Sequence, residues 1–135
     1  MIQLTIQGNP KALKRHRMSW RGGKPHSYDP SGKDKRDFIV QIKAPKSPLK
    51  GAIKLKATFY MPRPKSHYRT GKFVSALKDT APMWHTGTPD IDNLLKFIMD
   101  ALNGITYKDD SQIALLYAEK IYDENPRTEI RMEEI

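Results

Sequence analysis

Asp90 and Asp92 stand at the start of an apolar-periodic segment, Lys96 follows one turn later, and Asp109 and Asp110 adjoin each other just beyond the segment's end. Ile91, Leu94, Leu95, Ile98 and Leu102 recur at helical spacing and form one apolar stripe. Pro89 closes the preceding loop, Asp90 suits the N-cap, and Gly104 falls where a C′ glycine stops a helix. Inside a regular helix, residues two apart point to different sides. The N-cap is not helical, so Asp90 and Asp92 can converge on one point. A helix N-terminus favours their ionised form, and ionised oxygens are what Mg²⁺ binds, together with waters and a substrate phosphate. Lys96, on the same face as Asp92, can reach a phosphate oxygen or the leaving group. The series Asp-x-Asp-Asn-x-x-Lys at a helix start, then Asp-Asp at the next strand's entrance, is a layout for metal-assisted chemistry on phosphate esters. The structural alternative is that each Asp is only a helix cap or a solvated turn residue.

Other elements must position these side chains. Ile2, Leu4 and Ile6 alternate with polar residues and predict a first strand, ended by Gly8-Asn9-Pro10. Residues 11–28 are basic and poor in apolar residues, which predicts a mobile surface loop. A helix is expected from Asp29-Pro30 or Ser31 to about Ala44, with Phe38, Ile39 and Ile42 on its apolar face. Ile53, Leu55, Ala57, Phe59 and Met61 alternate with Lys54, Lys56, Thr58 and Tyr60, a strand with one buried and one polar face. Residues 62–89 are broken by Pro62, Pro64, Pro82 and Pro89, and a connection this long is usually functional or disordered. Within it, Phe73 to Lys78 could form a turn of helix. Gln112 to Tyr122 is apolar in both alternating sets, which predicts a strand covered on both faces. Asp123 to Pro126 make a turn, and Thr128 to Glu133 a closing strand. The order implies an α/β (α+β) fold: a mixed β-sheet with two main helices packed on it, in a single small domain over residues 1–135.

At 135 residues the chain can bury a modest core. It holds no cysteine, which excludes disulfides and thiolate metal sites and fits an intracellular, cytoplasmic protein. The four His show no zinc spacing. There is no secretory signal and no apolar run long enough to span a membrane. The net charge is +9, unevenly distributed: residues 1–78 carry a balance of +16 and residues 79–135 a balance of −7. A basic half suggests a polyanion partner, most simply nucleic acid, against the alternative of a merely soluble lysine-rich surface. The candidate DNA-binding residues are Lys11, Lys14, Arg15 and Arg17 in the first basic segment and Arg63, Lys65, Arg69 and Lys72 in the second. Trp20 and Tyr28 interleave with the first set, a composition suited to phosphate contacts plus base stacking; the alternative is that Trp20 packs the loop down. Thr70-Gly71-Lys72 lacks the upstream glycine of a P-loop.

The series Pro89-Asp90-Ile91-Asp92-Asn93-Leu94-Leu95-Lys96, then Asp100-Ala101-Leu102, then Asp109-Asp110-Ser111-Gln112 resembles the RusA family of Holliday-junction resolvases. Element order and small size also fit, so the resemblance covers nearly the whole chain, although the N-terminal third matches only as a strand followed by proline and basic residues. It implies a homodimeric, Mg²⁺-dependent endonuclease, with Mn²⁺ as a possible substitute, that cuts four-way DNA junctions in recombination and repair and is often encoded by phages or prophages. Carried over by position, Asp90, Asp92 and Asp110 are the metal-site acids and Lys96 the essential lysine, while Asp109 matches the lesser member of its pair. Two other functions remain open from the residues alone. One is a metal nuclease acting on flaps or forks. The other is a non-enzymatic DNA-binding protein, which would gain nothing from acids beside its ligand.

Overall fold

The segments with a period of two pair into one sheet, and the segments with helical period lie across it. The computed structural model describes residues 1–135. The strands and helices are β1 (Ile2–Gln7), β2 (Arg17–Arg21), β3 (Lys24–Tyr28), α1 (Gly32–Ile39), β4 (Ile53–Pro62), α2 (Ile91–Ala101), β5 (Ile113–Asp123) and β6 (Arg127–Glu134). The four-stranded sheet runs β1-β6-β4-β5. β6 is antiparallel to both β1 and β4, whereas β4 and β5 are parallel. A parallel pair needs a long crossover, and the connection through residues 63–90 and α2 supplies it. This is the mixed sheet with two helices that the sequence predicts.

One sheet face is apolar and carries both helices. Leu55, Ala57, Phe59 and Met61 of β4, with Ile130 and Met132 of β6 and Leu4 and Ile6 of β1, share a core with Phe38, Leu94, Phe97, Ile98, Ala101 and Leu102. Phe38 of α1 meets Phe97 of α2 edge-on, ring centroids 5.7 Å apart. Burying each such large side chain contributes roughly 1.5–3 kcal/mol, so α2 is held by its stripe and not by helix propensity. Phe97 is part of that stripe although the spacing argument did not single it out, and Leu95 is only half-buried. The opposite sheet face is polar. There Arg127 stacks on Tyr60 at 3.7 Å from the ring centroid and pairs with Asp123 and Glu129 at 2.8 and 3.0 Å.

Four elements differ from the sequence expectation. Residues 17–28 are not a loop: β2 and β3 form a separate two-stranded hairpin. Its turn is Gly22-Gly23, both with positive φ (57° and 76°), the combination that a two-residue hairpin turn requires. α1 stops at Ile39 and does not continue to Ala44. The consecutive β-branched residues Ile39 and Val40 weaken it there, the next amides fall back to Phe38 and Ile39 carbonyls three residues behind, and the Gln41 side chain accepts from the Gln7 amide at 2.8 Å. The turn of helix that Phe73 to Lys78 could form is not made; a short 3₁₀ turn, Gly71–Phe73, ends where it would begin. β5 is not covered on both faces. It is an edge strand, and Leu115, Leu116 and Tyr117 are 49%, 43% and 56% exposed.

Candidate active site

α2 starts at Pro89-Asp90 because the following stripe is apolar and Asp90 supplies an extended N-cap backbone, with φ −68° and ψ 147°. Its carbonyl accepts the Leu94 amide at 3.2 Å. Its side chain makes no cap hydrogen bond, so the exposed carboxylate is not used as an ordinary cap would be. Asp92, in the first turn, is also exposed and lies 3.8 Å from Lys96 across one helical turn.

The other two acids behave differently from each other. Asp109 caps a short 3₁₀ turn at Asp110–Gln112: its carboxylate accepts from the Ser111 amide at 3.1 Å, and the Gln112 side chain accepts from the Asp109 amide at 3.1 Å. The Ser111 side chain and then its amide hold the Asp109 carboxyl below the ordinary carboxylate range. Asp109 is therefore structural. Asp110 is half-buried and lies near Tyr107, whose hydroxyl is pushed upward by burial and then by the Asp110 charge.

The four acids do not gather in one chain. Tyr107 donates to the Met99 carbonyl at 2.6 Å near the C-terminal end of α2, and the Asp110 charge acts on that same hydroxyl. Asp90 caps the other end of this 11-residue helix, which is about 16 Å long. No three Asp, Glu or His side chains of the chain are close enough to hold an ion. The convergence expected of Asp90, Asp92 and Asp110 is thus not made within a single copy, because the β4–α2–β5 crossover puts the entrances of α2 and β5 at opposite ends of the helix. The donor chemistry itself is suitable: carboxylate oxygens suit a hard divalent ion, and Mg²⁺ commonly takes only one or two of them plus waters.

Both basic segments approach the α2 entrance. The Leu13 amide donates to the Asn93 carbonyl at 3.1 Å, and the Lys14 amide to the Ser31 hydroxyl at 2.8 Å. These bonds root Lys11, Lys14, Arg15 and Arg17 beside the first turn of α2. The second segment folds against the end of β5 around Tyr122, whose ring meets His67 at 4.7 Å, His85 at 5.0 Å and the Arg63 guanidinium at 5.3 Å. Arg63 also donates to the Pro82 carbonyl at 2.8 Å, and Arg69 pairs with Asp79 at 3.3 Å. These two arginines brace the connection, whereas Lys65 and Lys72 are exposed and form no ion pair.

Lys120, which no motif marks, holds the backbone at the α2 entrance. From β5 its ammonium donates to the Gly87 and Pro89 carbonyls at 2.8 and 2.9 Å, fixing the backbone that delivers Asp90. The only signal was a lysine at an inward-alternating position between Ala118 and Tyr122. The Lys120 carbonyl also accepts the His85 amide at 3.2 Å, and the Tyr122 amide donates to Met83 at 2.9 Å. Burial, and then the Lys120 charge, hold His85 below the usual imidazole range. Lys120→Met is expected to speed amide hydrogen exchange over residues 85–90 and to slow any Asp90-dependent reaction by about 10-fold or more, since small misplacements of reacting groups cost that much.

The endodeoxyribonuclease RusA family model matches residues 7–133. The chain is 34% identical over 138 residues to a protein of Bacillus subtilis strain 168 named uncharacterized protein YqaN, a match spanning 99% of this chain and 96% of that one. It is also 45% identical over 53 residues to the crossover junction endodeoxyribonuclease rusA of Lactococcus phage r1t, covering 38% of this chain and 40% of the phage protein. No helix is long and apolar enough to cross a membrane. Exposed acids beside a lysine at a helix entrance, flanked by two basic segments, in a sequence matched by that family model over nearly its whole length: this chain belongs to the RusA endodeoxyribonuclease family and is a hydrolase of DNA.

Proposed function

We propose that the chain is a homodimeric junction resolvase that cuts four-way DNA at paired sites, with Asp90 and Asp92 of one copy and Asp110 of the other holding Mg²⁺ or Mn²⁺. The observation that carries this reading is the free Asp90 carboxylate at the α2 entrance, next to Lys96 and between the two basic segments. The edge strand supports the dimer. Residues 83–85 cover the outer edge of β5 only near Lys120 to Tyr122. Before that point the strand presents Leu115, Leu116 and Tyr117 to solvent, and an uncovered apolar edge is a pairing surface. A two-fold axis near Leu116 runs the two β5 strands antiparallel and carries Asp110 of one copy toward the α2 entrance of the other.

A bound divalent ion supplies an activated water and charge stabilisation at the phosphate. The chain's own residues do the rest. Lys96 places a positive charge where the leaving oxygen develops its negative one. Lys120 fixes the strand of backbone that presents Asp90. The basic segments grip phosphates without reading sequence, and two such sites related by a two-fold axis match the paired cuts that resolution requires.

The test is a gel with labelled four-way junction, flap, fork and linear duplex, each with Mg²⁺ and with chelator. Paired nicks in the junction, in Mg²⁺ alone, are the expected result. Equal cutting of flaps or forks would replace the junction with branched DNA in general, and binding without cutting of any substrate would leave only a DNA-binding protein. Junction binding in Ca²⁺ should also weaken steeply with salt, with a slope of log K against log salt near −5 if roughly six phosphates are contacted. Replacing Lys14, Arg15 and Arg17 together by Ala should flatten that slope by up to about 3. A parental slope in the triple variant would move the DNA surface to Lys65 and Lys72.

A further inference from the structure

The β2–β3 hairpin is attached to the molecule but is not part of its sheet, and apart from Arg17 its side chains have no role in the chemistry above. Ser19 is half-buried and every other strand residue of the hairpin is exposed. A two-stranded hairpin is marginal by itself in water, and this one is secured at its base by the Leu13–Asn93 and Lys14–Ser31 hydrogen bonds. Its register sorts the side chains onto two faces. Met18 and Trp20 share one face with Ser27 and Pro25, while Arg17, Ser19 and Arg21 share the other with Tyr28, His26 and Lys24. The first face is uncharged, and Trp20 is 74% and Met18 62% exposed. The second face carries the cations. No acid occurs before Asp29. Trp20 therefore does not pack the segment down; the indole stands in solvent on an arm that is otherwise basic.

Deepening the junction reading on which it rests, we infer that this hairpin is a DNA-engaging arm: Trp20, backed by Met18, stacks on a base exposed at the branch point, while Arg17, Arg21 and Lys24 hold the flanking phosphates. The charge selects a polyanion, and an exposed indole among cations suits a base face, which every nucleotide offers. Opening a base inside a duplex costs unstacking energy, least where pairing is already interrupted, so the arm favours a branch over a linear helix. Its placement couples this choice to cutting. The base of the hairpin lies beside Asn93, one residue from Asp92. Five strand residues reach about 17 Å, roughly five base pairs at about 3.4 Å per step. The arm and the acids thus engage the same stretch of DNA, with the branch within a few base pairs of the cut.

The experiment uses the full-length chain in Ca²⁺, with Trp84→Phe so that Trp20 is the only indole. A four-way junction carrying 2-aminopurine at the branch point is titrated beside the same strand in a linear duplex. The expected result is quenching of Trp20 emission and a change in 2-aminopurine emission with the junction alone. Trp20→Ala should weaken junction binding roughly 10-fold, leave duplex binding within about two-fold, and Trp20→Phe should recover part of the loss. Sedimentation of Trp20→Ala should match the parent, and a shift to monomer would assign the indole to a contact between copies and overturn the arm. Parental junction preference in Trp20→Ala would also overturn it while leaving the resolvase reading intact. A parent protein that shows no preference for the junction over duplex would overturn that reading, and the arm with it.

Discussion

Mixing Asp90→Asn protein with Asp110→Asn protein is expected to restore junction cutting that neither variant has alone. Each substitution keeps shape and removes a carboxylate charge. Loss of groups that merely support a metal ligand costs about 10- to 100-fold, so loss of a ligand itself should cost more than about 100-fold. In one copy, Asp90 and Asp110 lie toward opposite ends of α2, and no three acids gather around one point. If each site takes Asp90 from one copy and Asp110 from the other, a mixed dimer has one site with both substitutions and one with neither. Random exchange makes roughly half the dimers mixed. About a quarter of the parental site content should then return, as nicks on one strand with few paired cuts. A single-chain site predicts no recovery, because every chain would carry one lesion. Equal mixtures, incubated long enough to exchange subunits and assayed for nicked and fully resolved products, distinguish the two. Junction binding by each variant in Ca²⁺ should remain near parental, since the basic segments are untouched.

Lys96→Ala should lower single-turnover cleavage by about 100-fold or more while changing junction affinity by no more than a few-fold. Lys96 and Asp92 are exposed and 3.8 Å apart, and an exposed pair of that kind contributes little to stability, so the variant should melt like the parent. Among the 24 Lys and Arg residues its charge is a small part of the attraction to DNA. Beside a developing oxyanion the same charge is worth several kcal/mol, as the removal of one such stabilising group shows elsewhere. Lys96→Arg keeps the charge but exchanges a compact ammonium for a planar fork, and should recover binding fully and cleavage only in part. Intact cleavage at saturation, with the loss confined to affinity, would make Lys96 an anchor for DNA.

Features that depend on residues close in the chain are legible in the amino-acid order alone. The stripe from Ile91 to Leu102 defined α2, and the alternation from Ile53 to Met61 defined β4, since burial of one face leaves a period that needs no knowledge of the partner. The charge imbalance and the Asp-x-Asp-Asn-x-x-Lys series are likewise local, and they pointed to the family that the whole-length match then showed. The hairpin was partly legible: Gly22-Gly23 is a hairpin turn signal, but strands exposed on both faces carry no apolar alternation to confirm it.

Other features depend on how distant segments pack together. Both alternating sets of β5 are apolar, and that pattern states that its surfaces favour burial without stating whether a helix or a second copy covers them; its place at the sheet edge answers the question differently from a central strand. Asp109 and Asp110 look alike in sequence, yet a three-residue turn recruits one as a cap and leaves the other beside Tyr107. Lys120 acquires its role from carbonyls more than thirty residues away. Separation of Asp90 from Asp110 follows from the crossover connection, which sets the ends of α2 against opposite ends of β5. Periodicity reports that a face is buried. Which groups meet across that face is fixed by chain topology, and that is a property of the whole fold.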